Sequence, residues 1–435
     1  MSTENQKTPD ISNLPACITE AFDAMTANKE TPEPASLDDL DPHITKIESS
    51  ANKFAKAYAD ILPGFLKDLK SFDAQQKRQR AKLNASDVIS LPHPGRDIIG
   101  ALVQSINGYK PEASHALQEL VFDLYASFLQ SAQSQKIPTP QVAKLAPLVK
   151  WGKDRANPHT IFSTSVTSFP VAIVSLPIEN ASRDVLAWGT LGHETVGHDV
   201  LHAYDLLGEF QEFLRKHFSR PNEVSEAQYW VPRTDDLVSD VMGVLFMGPA
   251  AAIALIGLIR AGRDFFKQGR KLASLSDAEH PADLLRGYFM AEVVGHLKFT
   301  DAAKWREILI SEVNRDAPDG AVPLSDKVRM NLSYWVQSIA SLAKELVEHP
   351  WKALGNMPLS QLDTWTNNDE SLVASLRPVL KDADKPLPSG TIYPAHVVAA
   401  AITASLEKDA KLDVIFKSMI KRINALPRHA EIFIP

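Results

Sequence analysis

The chain has 435 residues, with 46 Lys plus Arg, 53 Asp plus Glu and a formal net charge of −7. So weak a negative excess makes no field that draws in nucleic acid or an anionic membrane, and neither is expected as a partner. Hydrophobic residues at 44% against 23% charged supply ample core, and the single cysteine, Cys17, excludes an internal disulfide or a cysteine-rich zinc site.

Residues 1–40 are polar with scattered prolines and read as a disordered segment. Their first residues carry no apolar stretch of the signal-peptide kind, which points to a cytoplasmic protein. From 41 to 155 the pattern is helical: residues 51–69 and 116–132 place apolar side chains at helical spacing, and Lys77-Arg78-Gln79-Arg80 reads as a solvated face. Residues 170–177 form a short β-branched run between Pro170 and Pro177, the pattern of an edge strand, with 161–167 as its hairpin partner. Ser182 is then a candidate N-cap for a helix over 183–218, in which Ala187, Leu191, Val196 and Leu201 keep near-helical spacing.

Inside that helix lies His193-Glu194-Thr195-Val196-Gly197-His198, an HExxGH string one residue longer than HExxH. In HExxH, two neutral imidazoles one turn apart hold Zn²⁺ and the glutamate beside the first polarises a water for attack. Positions i and i+4 lie roughly 40° apart on an α-helix but i and i+5 roughly 140°, so an unbroken helix would keep His193 and His198 from sharing a metal. A one-residue π-bulge absorbs the insertion, and Gly197 is the residue type that tolerates it. A second register, His198-Asp199-Val200-Leu201-His202, has regular i,i+4 spacing, but its aspartate is one methylene shorter than the glutamate of HExxH and reaches a metal site less easily.

Downstream, Asp235-Asp236-Leu237-Val238-Ser239-Asp240 sets Asp236 and Asp240 one helical turn apart. Asp236 suits a third, carboxylate ligand and Asp240 an acid that holds a ligating histidine in its metal-binding tautomer, while Asp235 and Asp236 also suit a helix N-terminus. Residues 241–259 carry no charge and approach bilayer-spanning length, but Gly248-Pro249 splits the run and predicts a buried helix hairpin or kinked helix rather than a membrane span. His280, Arg286, Tyr288, Tyr393 and His396 are candidates for a donor to the oxyanion of a tetrahedral intermediate, and Glu194, His280 and Tyr393 make up the expected catalytic set. His296, four residues after Glu292, is a further candidate ligand. Residues 301–435 read as helical, with loops at 356–358 and 385–389. No glycine-rich phosphate loop, serine-nucleophile elbow or dinucleotide fingerprint occurs.

These motifs resemble the dipeptidyl peptidase III family, whose pattern is HExxGH followed by EExxAE or EExxAD. The resemblance spans residues 193–240 and implies zinc ligands at His193, His198 and Asp236, a general base at Glu194 and an orienting acid at Asp240; both ligand-helix glutamates of the family are aspartates here. The order of the pieces, Asp236 to Asp240, the apolar run, then His280-Pro281 through Arg286, is also similar to that of the gluzincin metallopeptidases. In zincins the strand ahead of the motif pairs with extended substrate. The fold implied is mainly α with a small β element: a zincin-like metallopeptidase core over 156–300, flanked by helical regions 41–155 and 301–435. The function implied is zinc-dependent peptide-bond hydrolysis, with Zn²⁺ as cofactor and a peptide or small molecule as substrate. A non-proteolytic metalloenzyme, hydrolytic or Fe(II)- and oxygen-dependent, and a catalytically inactive helical interaction protein are the alternatives.

Overall fold

The computed structural model describes residues 9–27, 100–101, 104–105, 108–140, 146–152, 158–161, 171–220, 224–265, 281–317, 320–323, 329–362, 364–382 and 384–427. The predicted helix at 51–69, the basic patch at 77–80, residues 162–167 of the predicted hairpin partner, and His280 lie outside these. Helix α1 (Leu14–Thr26) buries Leu14, Cys17, Ala21, Ala24 and Met25 along one face. It falls within the stretch 1–40 for which composition predicts disorder, so that expectation fails for residues 14–26. An apolar stripe at helical spacing decides the local structure where the average polarity does not.

Helix α2 (Pro111–Ser134) includes the predicted 116–132 segment and leads into a three-stranded sheet of β1 (Leu148–Gly152), β2 (His159–Ile161) and β3 (Ile173–Pro177). The strand order is β1-β3-β2, with β1 parallel and β2 antiparallel to β3. The predicted edge strand is therefore the central one: Ile173 to Pro177 are all buried, and the proline-bounded run reflects a strand covered on both sides. Its antiparallel partner begins at His159, ahead of the predicted 161–167, and β2 is the outer strand on that side among the described residues.

The predicted 183–218 helix is built in pieces. Asp184, not Ser182, is the N-cap of α3 (Val185–Gly189); its φ is 67° and its carboxylate accepts from the Leu186 and Ala187 backbone N–H groups at 3.1 and 3.4 Å. A π-helical turn (His193–Asp199) follows, then α4 (Val200–Ala203). Asp205, at φ 53°, breaks the chain away before α5 (Leu207–His217). After α6 (Val224–Trp230), the apolar run forms the body of α7 (Thr234–Met247) and the start of α8 (Pro249–Phe265). Gly248 joins them at φ 64° with the Trp365 ring against it, where a Cβ would meet Trp365 Nε1 at 2.5 Å. Among the described residues no helix is long and apolar enough to cross a membrane.

The remainder comprises α9 (Asp283–Gly295), α10 (Ala302–Asn314), a β4–β5 hairpin (Ala321–Pro323 and Arg329–Asn331), α11 (Leu332–Glu348), α12 (Asn367–Leu380), α13 (Pro394–Ser405) and α14 (Leu412–Asn424). Every residue of α13 is buried, which its small apolar sequence permits on all sides. The molecule is mainly α-helical with a small sheet, and buried apolar side chains from Leu14 to Ile423 join in one core. Each fully buried Leu, Val or Phe within it contributes about 1.5–3 kcal/mol.

The contact that positions the centre is between the π-helical turn and α7. A Cβ on Gly197 would stand 2.5 Å from Ser239 Cβ and 2.6 Å from Ser239 Cα, and one on Gly243 would stand 3.0 Å from His193 N. The two backbones touch because neither glycine has a side chain. Gly197→Ala is accordingly expected to cost about 1–3 kcal/mol through overpacking. Gly208→Ala, with nothing within 4 Å of its added Cβ, is the control and should leave stability unchanged or slightly raised. Urea denaturation of the two variants checks this.

Candidate metal centre

His193 and His198 are five residues apart, and the wider π-helical turn brings their imidazoles together, with ring centroids 4.6 Å apart at 89°. The distortion that the HExxGH spacing requires is present at the residues it predicts. Asp236 and Asp240 stand one turn apart on α7, whose backbone lies against that turn. His193 Nε2 is 3.4 Å from Asp236 Oδ1, and His198 Nε2 is 3.9 Å from the same oxygen. Zinc–nitrogen bonds of about 2.0–2.1 Å at tetrahedral angles set ligand atoms about 3.3–3.4 Å apart. Donor atoms of His193, His198 and Asp236 all lie within 4.8 Å of one another, so a cluster able to coordinate a metal ion is present and needs only a small contraction to close on one.

The other ring nitrogens are held by acids. His193 Nδ1 lies 2.8 Å from Asp240 Oδ1, an ion-pair distance although the N–H is not aligned for a hydrogen bond. His198 Nδ1 lies 2.8 Å from Asp235 Oδ1. With an acid at each Nδ1, each Nε2 is left to face Asp236. Asp240 is wholly buried and also receives Arg286 of α9 through two hydrogen bonds, Nε to Oδ2 at 2.8 Å and Nη2 to Oδ1 at 2.7 Å. Glu194 Oε2 accepts from the Thr160 hydroxyl at 2.7 Å; that hydroxyl also lies 2.9 Å from the Glu194 carbonyl, so β2 is tied to the start of the turn.

Four acidic side chains, Glu194, Asp235, Asp236 and Asp240, thus stand around three imidazoles, those of His193, His198 and His202, and one guanidinium. Burial alone would pull the His193 imidazolium down, but the Asp236 and Asp240 carboxylates more than reverse it and raise its pKa to about 10. His198 is raised in the same way against burial, chiefly by Asp235. Burial would raise Asp236, yet the Arg286 and His193 charges hold it well below the usual carboxylate range. Asp235 is likewise lowered against burial, by hydrogen bonds with His198 and His202. A divalent cation suits this excess of acid chemically, since it would take the place of the proton on His193.

Several predicted residues are elsewhere. Tyr393 precedes α13, where its N–H donates to His396 Nδ1 at 3.1 Å and His396 Nε2 pairs with Asp369 at 2.8 Å. Both line a separate cavity of about 310 Å³, whose walls also include Phe246 and Trp365 and contain none of the metal-cluster residues. Phe246, which lines that cavity, is ten residues along α7 from Asp236, about 15 Å along the helix axis. The expected catalytic role for Tyr393 does not fit this placement, because its segment serves to cap a helix. Tyr288 donates to Asn314, and Glu292 is taken by Arg306 at 2.6 and 2.8 Å, so the Glu292–His296 pair offers no ligand set. Arg286 reaches the cluster, but as the partner of Asp240.

Three contacts went unread in the sequence. Asp235 looked like an N-terminal acid, Thr160 fell just before the predicted hairpin partner, and His202 stood in a competing motif. The only local signal was the Asp235-Asp236 doublet, because neighbouring helical residues point about 100° apart and can serve two different histidines.

In chelator-treated protein the cluster makes stability depend on pH. Below about pH 6.5 the histidine is protonated folded or unfolded and the His193 ion pairs contribute in full; the contribution drains as pH rises through about 10. Asp235 and Asp236 contribute fully above pH 3.8 and lose their share as pH falls through their lowered folded values. Urea-unfolding free energies should therefore decline between pH 6.5 and 10, and His193→Gln should flatten that slope. Comparison of the chain with protein-family models, curated proteins and solved structures finds no match.

Proposed function

We propose that the protein is a zinc-dependent metallopeptidase in which His193, His198 and Asp236 hold the metal, Glu194 is the general base and Asp240 orients His193. The observation that carries this reading is the convergence of two imidazole Nε2 atoms on Asp236 Oδ1 within a π-helical turn that also bears Glu194. When bound, zinc supplies the Lewis acidity that makes water nucleophilic near neutral pH.

The chain's own groups do the rest. Thr160 holds Glu194 through Oε2, which leaves Oε1 to take a proton as water attacks the peptide carbonyl and to return it to the leaving amine. Asp240 and Asp235 keep the two imidazoles turned with Nε2 inward. Among the described residues β2 is the outer strand, bound to Glu194 through Thr160, and an extended peptide pairing alongside it is the substrate geometry this reading favours. Two histidines and one carboxylate also suit Fe(II), and that donor set supports a second reading as an oxygen-dependent enzyme acting on a small molecule.

Elemental analysis of protein purified without chelator is expected to give about one zinc per chain. Iron in its place would favour the second reading, and a chain that takes up neither metal on dialysis would end both. Glu194→Gln should keep its zinc while turnover of a peptide library falls about 10²–10⁴-fold. Asp236→Ala should lose the metal, and Asp240→Ala should weaken its binding about 10–100-fold. Full activity in Glu194→Gln, or unchanged zinc in Asp236→Ala, would contradict the roles assigned.

A further inference from the structure

We infer that His202 is a positioning residue for the metal centre: together with Asp235 it forms a tether that sets the orientation of His198. This rests on the metal-binding reading above and extends it to residues outside the ligand set.

Two helical registers meet in one segment. His193 and His198 are spaced by five residues within the π-helical turn, and α-helical geometry resumes in α4 over Val200–Ala203. His202 therefore follows His198 by one ordinary turn and lies on the same face. Asp235, in the first turn of α7, meets both with one carboxylate: Oδ1 is 2.8 Å from His198 Nδ1 and Oδ2 is 2.8 Å from His202 Nε2.

The two oxygens of Asp235 do different work. Oδ1 engages His198 Nδ1 and leaves His198 Nε2 on the side facing Asp236 and His193. The Asp235 side chain is 30% exposed, so His198 alone would not hold it against exchange with water. A second contact at Oδ2 fixes the rotation of the carboxylate about its last bond, and with it the plane of the His198 ring. His202 stands outside the set of converging donors, His193, His198 and Asp236, with its Nε2 turned onto Asp235. The HDxxH string thus serves as one candidate ligand and one tether.

The test uses this chain, zinc and cobalt(II) as probes, and five proteins: wild type, His202→Phe, His202→Gln, Asp235→Ala, and His202→Phe combined with Asp235→Ala. Phe keeps a ring of similar size without a donor, and His202 is partly exposed, so the fold should survive. Zinc affinity by competition with a chromophoric chelator should fall about tenfold in His202→Phe, the lower end of outer-sphere losses, and recover in large part in His202→Gln, which retains a donor. The cobalt(II) ligand-field spectrum should shift in His202→Phe. In the Asp235→Ala background the Phe substitution should add nothing, because the tether is already cut. A wild type that binds zinc while His202→Phe keeps its affinity and cobalt spectrum overturns this inference alone. An equal loss from His202→Phe with and without Asp235 does the same, since His202 would then act by packing. A wild type that takes up neither metal overturns the metal-binding reading and the tether with it.

Discussion

Asp240 has no exposed surface, and a carboxylate buried to that degree is costly unless its charge is answered. Arg286 answers it with two hydrogen bonds and His193 with a third contact, so three helical segments must meet at one point. The turn bearing His193 can come close enough only because Gly197 and Gly243 have no side chain. α9 must present Arg286 at the right height, and the Tyr229 hydroxyl, which accepts from the Ala282 N–H at 2.6 Å, pins the start of that helix. The π-helical turn, the helix crossing and the beginning of α9 are conditions of one buried ion pair.

Around that pair four carboxylates stand against one permanent cation, Arg286, which is a poor arrangement for stability alone. Replacing such a cluster by apolar side chains of similar volume is often neutral or stabilising, so its presence points to a task. Asp236 lies between His193, His198 and Arg286 with one oxygen near all three. The proton on His193 and a metal ion are competing answers to the same field. The solvent-facing side of the cluster is formed by His198, Asp235 and His202, whose side chains are 19–30% exposed, whereas those of His193 and Asp236 are under 10%.

Much of the centre was legible because its chemistry is local. Two histidines with a glutamate between them at an i,i+5 interval require a helix distortion, and the π-helical turn occupies His193–Asp199. The break at Gly248-Pro249 divides a long apolar run into two buried helices, as proline at a helix start and glycine at positive φ dictate. Other readings failed where a local pattern had two meanings. A proline-bounded β-branched run fits an edge strand and also a short strand buried between two others, and Ile173–Pro177 is the latter. Tyr393-Pro394-Ala395-His396 has the residue types of a catalytic segment and the spacing of a helix cap, and it caps α13.

By itself the sequence determined the donor types, their spacing along each helix and the places where helices must bend or stop, since these follow from covalent geometry within a few residues. The tertiary structure alone decided which acid meets which nitrogen. Asp235 and Asp236 are neighbours of the same type, yet one holds His198 and His202 from behind while the other faces the gap between His193 and His198. That division depends on the angle and height at which α7 crosses the π-helical turn. Packing between segments far apart in the chain sets both, and no spacing within either segment encodes them.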